Sequence, residues 1–191
     1  KAQVSYDNAH KIDPDYHGLK QYSDQFYRKP KYRLRSKAKN VSEINCKKEF
    51  GLNENWKPLK YIDNEYKDNK DGTVTDQTTG LMWQQSGSDE RMRFDKAQTY
   101  IRFLNQNRFA GHADWRLPTI PELMSLLEAK KKNGNLYIDP LFDNNQFWCW
   151  SSDKVNRSSG AAWSVYFYDG DVYWDDFNGS DYVRGVRIQT K

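Results

Sequence analysis

The chain has 191 residues, with 30 Lys and Arg against 26 Asp and Glu, and its aromatic content of 15% excludes an intrinsically disordered chain, which is normally poor in aromatics. No apolar run approaches the roughly 18 residues of a transmembrane helix, so no membrane span is expected. Two Cys and three scattered His do not match zinc or iron–sulfur spacing. A disulfide between Cys46 and Cys149 is left open.

The first 59 residues are predicted to form a basic N-terminal arm that contains one short helix. The segment Arg28–Lys39 carries seven basic residues and no acid. It fits a polyanion-binding patch, or an arm that packs on the domain or on a neighbouring subunit. Nucleic acid is not expected as a partner, because no nucleic-acid-binding fold is recognisable. Ser42 to Phe50 is predicted to be the short helix, with Gly51 as its left-handed stop.

Residues 60–191 are predicted to form one folded domain. Its first part contains a strand over Lys60–Tyr66, a tight turn at Asp71–Gly72, and strands at Thr73–Thr75 and Leu81–Trp83. The Asp-Gly pair is typical of a turn between two strands. An antiparallel sheet is therefore expected to open the domain.

Two helices and a second group of strands follow. Apolar residues at helical spacing predict a helix over 93–106. A capping box formed by Thr119 and Glu122 begins a second helix, which is expected to end in the Lys130–Lys132 run. The remaining strands are predicted at Phe147–Trp150, Ala162–Phe167 and Tyr182–Ile188, with a turn at Asp169–Gly170. The order of strands, helices and strands indicates an α+β class with antiparallel pairing.

Six segments of the domain occur together in a recognisable order. They are Asp71–Asp76, Thr79–Gln84, Asp114–Thr119 with Glu122 and Leu123, Trp150–Ser152, Ala162–Val165, and Tyr182–Arg187. In combination they resemble the C-terminal-domain family of the Legionella collagen-like adhesin, over about residues 60–188. The resemblance implies a C-type lectin-like fold, grouped with formylglycine-generating-enzyme-like folds, with two helices and antiparallel strands. It also implies a cell-surface, extracellular or virion location.

Some properties of related folds are not carried over to this chain. The calcium motifs of C-type lectins are absent, and Gly185 stands where family members often carry a Cys. Formylglycine-generating activity needs reactive cysteines, whereas Cys46 and Cys149 have no nearby His. Adjacent carboxylates at Asp175 and Asp176 would point to opposite faces of a strand, so they do not form a glycosidase pair. We expect no enzymatic activity.

No cofactor is expected, with calcium as the remaining alternative. A calcium ion could be held by oxygen ligands from four residues, although turn formation explains the same residues. These residues are Asp68, Asn69, Asp71 and Asp76.

The segment Tyr166–Tyr182 has an unusual composition, with five Asp, four Tyr, two Phe and no Lys or Arg. This composition is close to that of an antibody paratope. Most of its residues are reached from an AAC codon by changing adenines, and Trp174 is reached from AAG. That signature resembles the variable proteins of diversity-generating retroelements, although an ordinary Tyr/Asp-rich hairpin of the family explains it equally well.

Strand alternation predicts that Phe167 and Val172 point to the core. The other side chains are candidate ligand contacts, with Trp174 and Phe177 as aromatic anchors. The predicted contacts are Tyr166, Tyr168, Asp169, Asp171, Tyr173, Trp174, Asp175, Asp176, Phe177, Asn178, Ser180, Asp181 and Tyr182.

The remaining large aromatic and cationic side chains are assigned to the scaffold. They are Trp83, Trp115, Trp148, Trp150, Trp163, Arg116, Arg184 and Arg187. His112 is predicted to be a loop or hydrogen-bonding residue rather than a catalyst.

The sequence therefore predicts a ligand-binding module that displays a variable surface for a protein receptor. The alternatives are an adhesin-type lectin that binds a cell-surface polysaccharide or glycosaminoglycan through the basic arm, and a structural or phage-tail module. In the last of these, the arm would mediate subunit contacts in an oligomer.

Overall fold

The computed structural model describes residues 29–156 and 160–189. Within these ranges, the chain forms three α-helices and eight strands, which confirms the α+β class. The helices are α1 Cys46–Phe50, α2 Phe94–Gln106 and α3 Ile120–Ser125. The strands are β1 Asn40–Val41, β2 Tyr66–Asp68, β3 Thr73–Asp76, β4 Leu81–Gln84, β5 Trp148–Val155, β6 Ala161–Tyr166, β7 Asp171–Asp176 and β8 Val186–Ile188.

The strands form two four-stranded sheets, in the orders β1-β5-β6-β7 and β2-β3-β4-β8. All neighbouring strands within the sheets are antiparallel except β1 and β5, which are parallel. Strand β7 lies at one edge of its sheet, where the backbone N–H of Val172 donates to the carbonyl oxygen of Trp56 at 3.0 Å. No helix in the described part of the chain is long and apolar enough to cross a membrane.

Several predicted elements differ in their bounds. Helix α1 begins at Cys46 rather than Ser42, although Gly51 ends it in the left-handed conformation, with φ 68°. Helix α3 begins with the predicted capping box but ends at Ser125, well before the lysine run. It ends because the chain beyond it turns to pair with the loop before β5, where Glu128 N–H donates to Tyr137 O at 3.0 Å.

The predicted first strand of the domain was wrong over most of its length. Strand β2 begins only at Tyr66, so Lys60 to Glu65 are not part of a strand. The last strand is also shorter than predicted, because β8 begins at Val186. Strands β3 and β4 and the turn before β3 are confirmed.

The core consists of two hydrophobic clusters. The larger contains Trp83 and Trp163 with side chains from α1 and α3. The smaller lies under α2 and contains Trp115 and Trp150. These four tryptophans are fully or almost fully buried, as predicted, whereas Trp148 is only half-buried.

Residues before position 60 contribute to the larger cluster. Cys46, Phe50 and Leu52 are buried in it, and the ring of Phe50 lies 5.3 Å from that of Trp163. Cys46 and Cys149 are both free and buried, which settles the open question of a disulfide between them.

Residues 29–39 of the basic arm lie along the domain, and Asp153 holds them there. The Asp153 carboxylate accepts two hydrogen bonds from the Arg35 guanidinium, at 2.7 and 2.8 Å, and one from the backbone N–H of Lys39 at 2.7 Å. It also accepts from the N–H of Ile120 at 2.8 Å, at the start of α3. One buried carboxylate therefore connects the arm, α3 and β5. Residues 1–28 lie outside the described ranges.

The three arginines assigned to the scaffold make structural hydrogen bonds. Arg116 forms a two-pronged pair with the buried Glu122, at 2.6 and 2.7 Å. Arg187 pairs with Asp114 at 2.6 Å. Arg184 is fully buried and donates to backbone carbonyls, including that of Gln84 at 3.0 Å. The planar, fork-shaped guanidinium suits these roles.

The oxygen-rich turns before and after β3 have protein donors. Asp68 accepts from the N–H of Lys70 at 2.8 Å, and Asp71 accepts from the N–H of Thr73 at 3.0 Å. Asp76 accepts from the N–H of Thr78 at 2.9 Å. These contacts support the turn interpretation over a calcium site. Across residues 29–156 and 160–189, no group of three or more His, Cys, Asp or Glu side chains is placed to hold a metal ion.

Candidate ligand-binding face

The β6–β7 hairpin divides the Tyr/Asp-rich segment between an inner and an outer surface. Val165 pairs with Val172, and the latter is fully buried. Ser164 pairs with Tyr173. Paired residues of antiparallel strands share one face, and neighbours along a strand alternate. Phe167, in the turn, is also fully buried, so both predicted core positions are confirmed.

Six aromatic side chains form a connected outer surface, here called the aromatic face. None of the six is fully buried, and Tyr168 and Tyr173 are 42% and 48% exposed. Ring centroids are 4.6 Å apart for Trp148 and Tyr166, 5.9 Å for Tyr166 and Tyr168, and 6.3 Å for Trp148 and Tyr173. The members are Phe147, Trp148, Tyr166, Tyr168, Tyr173 and Tyr182.

Two predicted anchors pack against the domain more than expected. The ring of Phe177 stacks on that of Phe94 with centroids 4.6 Å apart, so it covers the smaller core cluster. Trp174 packs against the larger cluster and is half-buried. These side chains fix the hairpin and the following loop to the scaffold. The most exposed rings of the segment are instead Tyr168 and Tyr173.

The polar members of the segment also separate by burial. Asp171 and Asp175 are half-buried, whereas Asp181, which is also among the predicted contacts, is only 2% exposed. Burial raises the pKa of Asp171. The exposed polar positions are Asp169, Asp176, Asn178 and Ser180.

Asp181 has an unusual electrostatic environment. Burial, reinforced by the negative charge of Asp175, raises its pKa to about 7, against an opposing hydrogen bond from Ser164 and the charge of Arg91. Within the described ranges, Oδ2 of Asp181 has no hydrogen-bond donor. A buried acceptor without a donor is uncommon in folded proteins.

Two lysines lie near the opposite end of the aromatic face, where Asp169 and Asp171 also lie. The Lys131 ammonium lies 4.3 Å from the ring centroid of Tyr168, within cation–π range. Lys57 lies 5.2 Å from the Tyr137 ring, and its charge acts on Asp171. The face therefore carries lysines and carboxylates together near the hairpin turn, and a pair of neighbouring carboxylates, Asp175 and Asp181, at its other end.

A comparison with protein families shows that the family model named Lcl C-terminal domain matches residues 72–187, which is more than half of the chain. The chain belongs to the Lcl C-terminal domain family. A search of curated proteins finds no match. All six members of the aromatic face fall inside the matched range, whereas the basic arm and α1 fall before it.

In this Lcl C-terminal domain, sequence reasoning missed two residues of the face. Trp148 was assigned to the scaffold, and Phe147 was treated only as part of a strand. Strand register could have found Trp148, because it pairs with Tyr166 and therefore shares its face. Trp150 lies two residues after Trp148 and therefore points to the same face of β5, but the ring of Phe94 covers it, at 5.5 Å between centroids. The packing of α2 and of the segment before it, where the Met92 carbonyl accepts from the Trp150 indole N–H at 2.7 Å, distinguishes the two tryptophans.

Proposed function

We propose that this Lcl C-terminal domain is an adhesin-like, non-catalytic binding module with a C-type lectin-like fold. In this proposal it is displayed at a cell or particle surface and recognises a protein receptor through the aromatic face. The observation that carries the proposal is the connected set of six rings, with Tyr168 and Tyr173 about half exposed. Rigid Tyr and Trp side chains offer large contact areas at low entropic cost, and they are enriched in binding hot spots.

The chemistry of the domain favours binding over catalysis. Burial raises the pKa of the Cys149 thiol to about 12 and also raises that of Cys46, so neither is an activated nucleophile. Asp175 and Asp176 are neighbours on β7, so they do not oppose each other across a substrate.

The charge of the segment favours a basic protein over an acidic glycan at this face. Asp169 and Asp176 are exposed, and Asp171 and Asp175 are half-buried. Complementary potentials steer partners together and disfavour partners of like charge. A sulfated polysaccharide would meet repulsion from these carboxylates.

Beads coated with the domain test the proposal directly on intact cell surfaces. Replacing both Tyr168 and Tyr173 by Ala is expected to reduce adhesion at least tenfold with only a small change in the melting temperature, because both rings are about half exposed. The matched control is Phe103→Ala, which removes a 58% exposed ring from α2, outside the face. Unchanged adhesion of the double variant would contradict the proposal.

Treatment of the cells before the same assay identifies the receptor class. Protease is expected to abolish adhesion, and enzymes that remove surface glycans are expected to leave it intact. The reverse pattern would favour a glycan ligand.

We further propose that a retroelement diversifies this face. Sequencing the 3′ end of the gene from many siblings tests the idea. Substitutions are expected at adenine-derived codons of exposed positions such as Tyr168, Asp169 and Tyr173. The codons of the buried Phe167 and Val172 are expected to remain constant, because a polar replacement there would be buried. Uniform sequences across positions 166–182 would indicate one fixed ligand.

A polyanionic glycan is the second candidate, and the basic arm is its site. The ammonium groups of Lys31 and Lys60 both lie 5.5 Å from the ring centroid of Tyr32, which gathers positive charge at one place. Lys29 and Arg33 are exposed beside them. Heparin binding that falls steeply with salt, and is lost in Lys31→Gln/Lys60→Gln, would favour this candidate.

A further inference from the structure

We propose that the aromatic face holds a subsite for a cationic side chain of the partner protein, a guanidinium or an ammonium, which pairs with Asp181 and Asp175. The inference rests on the proposed function and specifies the partner's chemistry. Its central observation is a buried carboxylate oxygen, Oδ2 of Asp181, without a donor in residues 29–156 and 160–189.

The backbone fixes Asp181 in place. Its carbonyl oxygen accepts from the N–H of Met92 at 2.8 Å, and its own N–H donates to the Met92 carbonyl at 3.2 Å. These two bonds pair the residue with the segment before α2. The backbone of Asp181 is therefore fixed, and its side chain carries the oxygen that lacks a donor. An unmade hydrogen bond at a buried acceptor costs stability, so a donor from a ligand would be favourable.

The surroundings of Asp181 connect it to the aromatic face. The indole N–H of Trp148 donates to Oγ of Ser164 at 2.7 Å, which leaves the Ser164 hydroxyl hydrogen for Asp181. Asp175 lies two residues after Tyr173 on the same face of β7. A Cβ on Gly179 would collide with an Asp175 oxygen, so the loop passes directly against this carboxylate. The rings of Trp148 and Tyr173 therefore lie at the same end of the aromatic face as the carboxylates of Asp175 and Asp181.

The charge around Asp181 is unbalanced. The charged or titratable groups that act on it are Asp175 on β7, Arg91 in the segment before α2, and the Cys149 thiol on β5. Arg91 is exposed and has the weakest of the effects on Asp181. A cation from a partner would supply both the missing donor and the missing charge. A guanidinium offers five donors, and the neighbouring rings of Trp148 and Tyr173 can receive its flat surface.

Titration with small amides tests the subsite without the natural partner. The probe is N-acetyl-arginine methylamide, and the matched neutral probe is N-acetyl-citrulline methylamide, which has nearly the same shape. The indole N–H signal of Trp148, assigned with Trp148→Phe, reports binding by NMR. The arginine probe is expected to bind in the millimolar range, as fits a small ligand, and at least tenfold more tightly than the citrulline probe.

Variants and pH identify the carboxylate responsible. Asp181→Asn is expected to weaken arginine binding at least tenfold, whereas Asp63→Asn, at an exposed carboxylate in the loop before β2, leaves it unchanged. Because the pKa of Asp181 is about 7, its ionised fraction rises about tenfold between pH 6 and pH 8, and affinity should rise with it. Asp175→Asn removes the neighbouring charge, so the midpoint of this pH dependence should move to lower pH.

Several results would overturn the inference. These are equal affinity for arginine and citrulline, binding that Asp181→Asn does not weaken, or an indole shift produced by calcium but not by arginine. If Asp181→Asn fails to fold, an unshifted midpoint in Asp175→Asn would be decisive against it. Lost adhesion in the Tyr168/Tyr173 variant with no arginine binding would reject this subsite and keep the proposed function. Arginine binding with unchanged adhesion would reject the proposed function instead.

Discussion

Replacing Asp153 with Ala is expected to lower the free energy of unfolding by about 3–5 kcal/mol and to release residues 29–39 from the domain. The carboxylate is fully buried and serves the Arg35 guanidinium and the backbone N–H groups of Lys39 and Ile120. Its removal leaves the two N–H donors without an acceptor and Arg35 without its carboxylate partner. Asp153→Asn should cost less, because its amide oxygen still accepts from one of these donors.

Urea unfolding measures the loss of stability, and trypsin measures the release of the arm. The basic run offers many cleavage sites, so Asp153→Ala should be cut within residues 29–39 much faster than the unmodified chain. Arg33→Ala is the matched control, because Arg33 is exposed in the same segment. Equal stability and equal cleavage rates would show that Asp153 does not hold the arm.

The arm shows what the sequence could not predict. Its composition left open whether it packs on the domain, on a neighbouring subunit or on a polyanion, and Arg35 has the same chemistry as the exposed Arg33. What distinguishes the two is Asp153, more than a hundred residues later in the chain. Only the folded arrangement of β5 and α3 brings that carboxylate to the arm, so no local pattern could reveal the contact.

Elements determined by neighbouring residues were predictable. The spacing of apolar residues placed α2 correctly, and the Thr119–Glu122 capping box placed the start of α3. The predicted end of α3 was wrong, because Leu126 and Leu127 are buried in the core from turns that follow the helix rather than from a continued helix. Local chemistry starts this helix, and tertiary packing decides where it ends.

The candidate site divides in the same way. Strand alternation correctly separated the buried Phe167 and Val172 from the outer Tyr173. It could not show that Phe94 would provide a stacking surface for Phe177, because that contact depends on how α2 lies against the sheet. Nor could composition show that one of five Asp residues, Asp181, would be buried beside another.

Replacing Asp181 with Asn is expected to stabilise the domain above pH 7. Burial and the charge of Asp175 raise the pKa of Asp181 from 3.8 to about 7. Between these values the folded chain binds more protons at this site than the unfolded chain, so the contribution of Asp181 to the free energy of unfolding falls as pH rises. We compare the free energy of unfolding of Asp181→Asn with that of the unmodified chain and take their difference at pH 4 as the reference. From there the variant should gain about 1.4 kcal/mol per pH unit, up to about 4 kcal/mol.

Urea unfolding at pH 4, 5.5, 7 and 8 measures this gain, with Asp63→Asn as the exposed-carboxylate control. Stability curves that stay parallel for Asp181→Asn and the unmodified chain would mean that Asp181 titrates normally. A gain in stability together with lost arginine binding would identify an unpaired charge whose cost a partner's cation offsets. The same gain without any effect on arginine binding would confirm the buried charge and reject the cationic subsite, so the two measurements separate the electrostatics of Asp181 from its role in recognition.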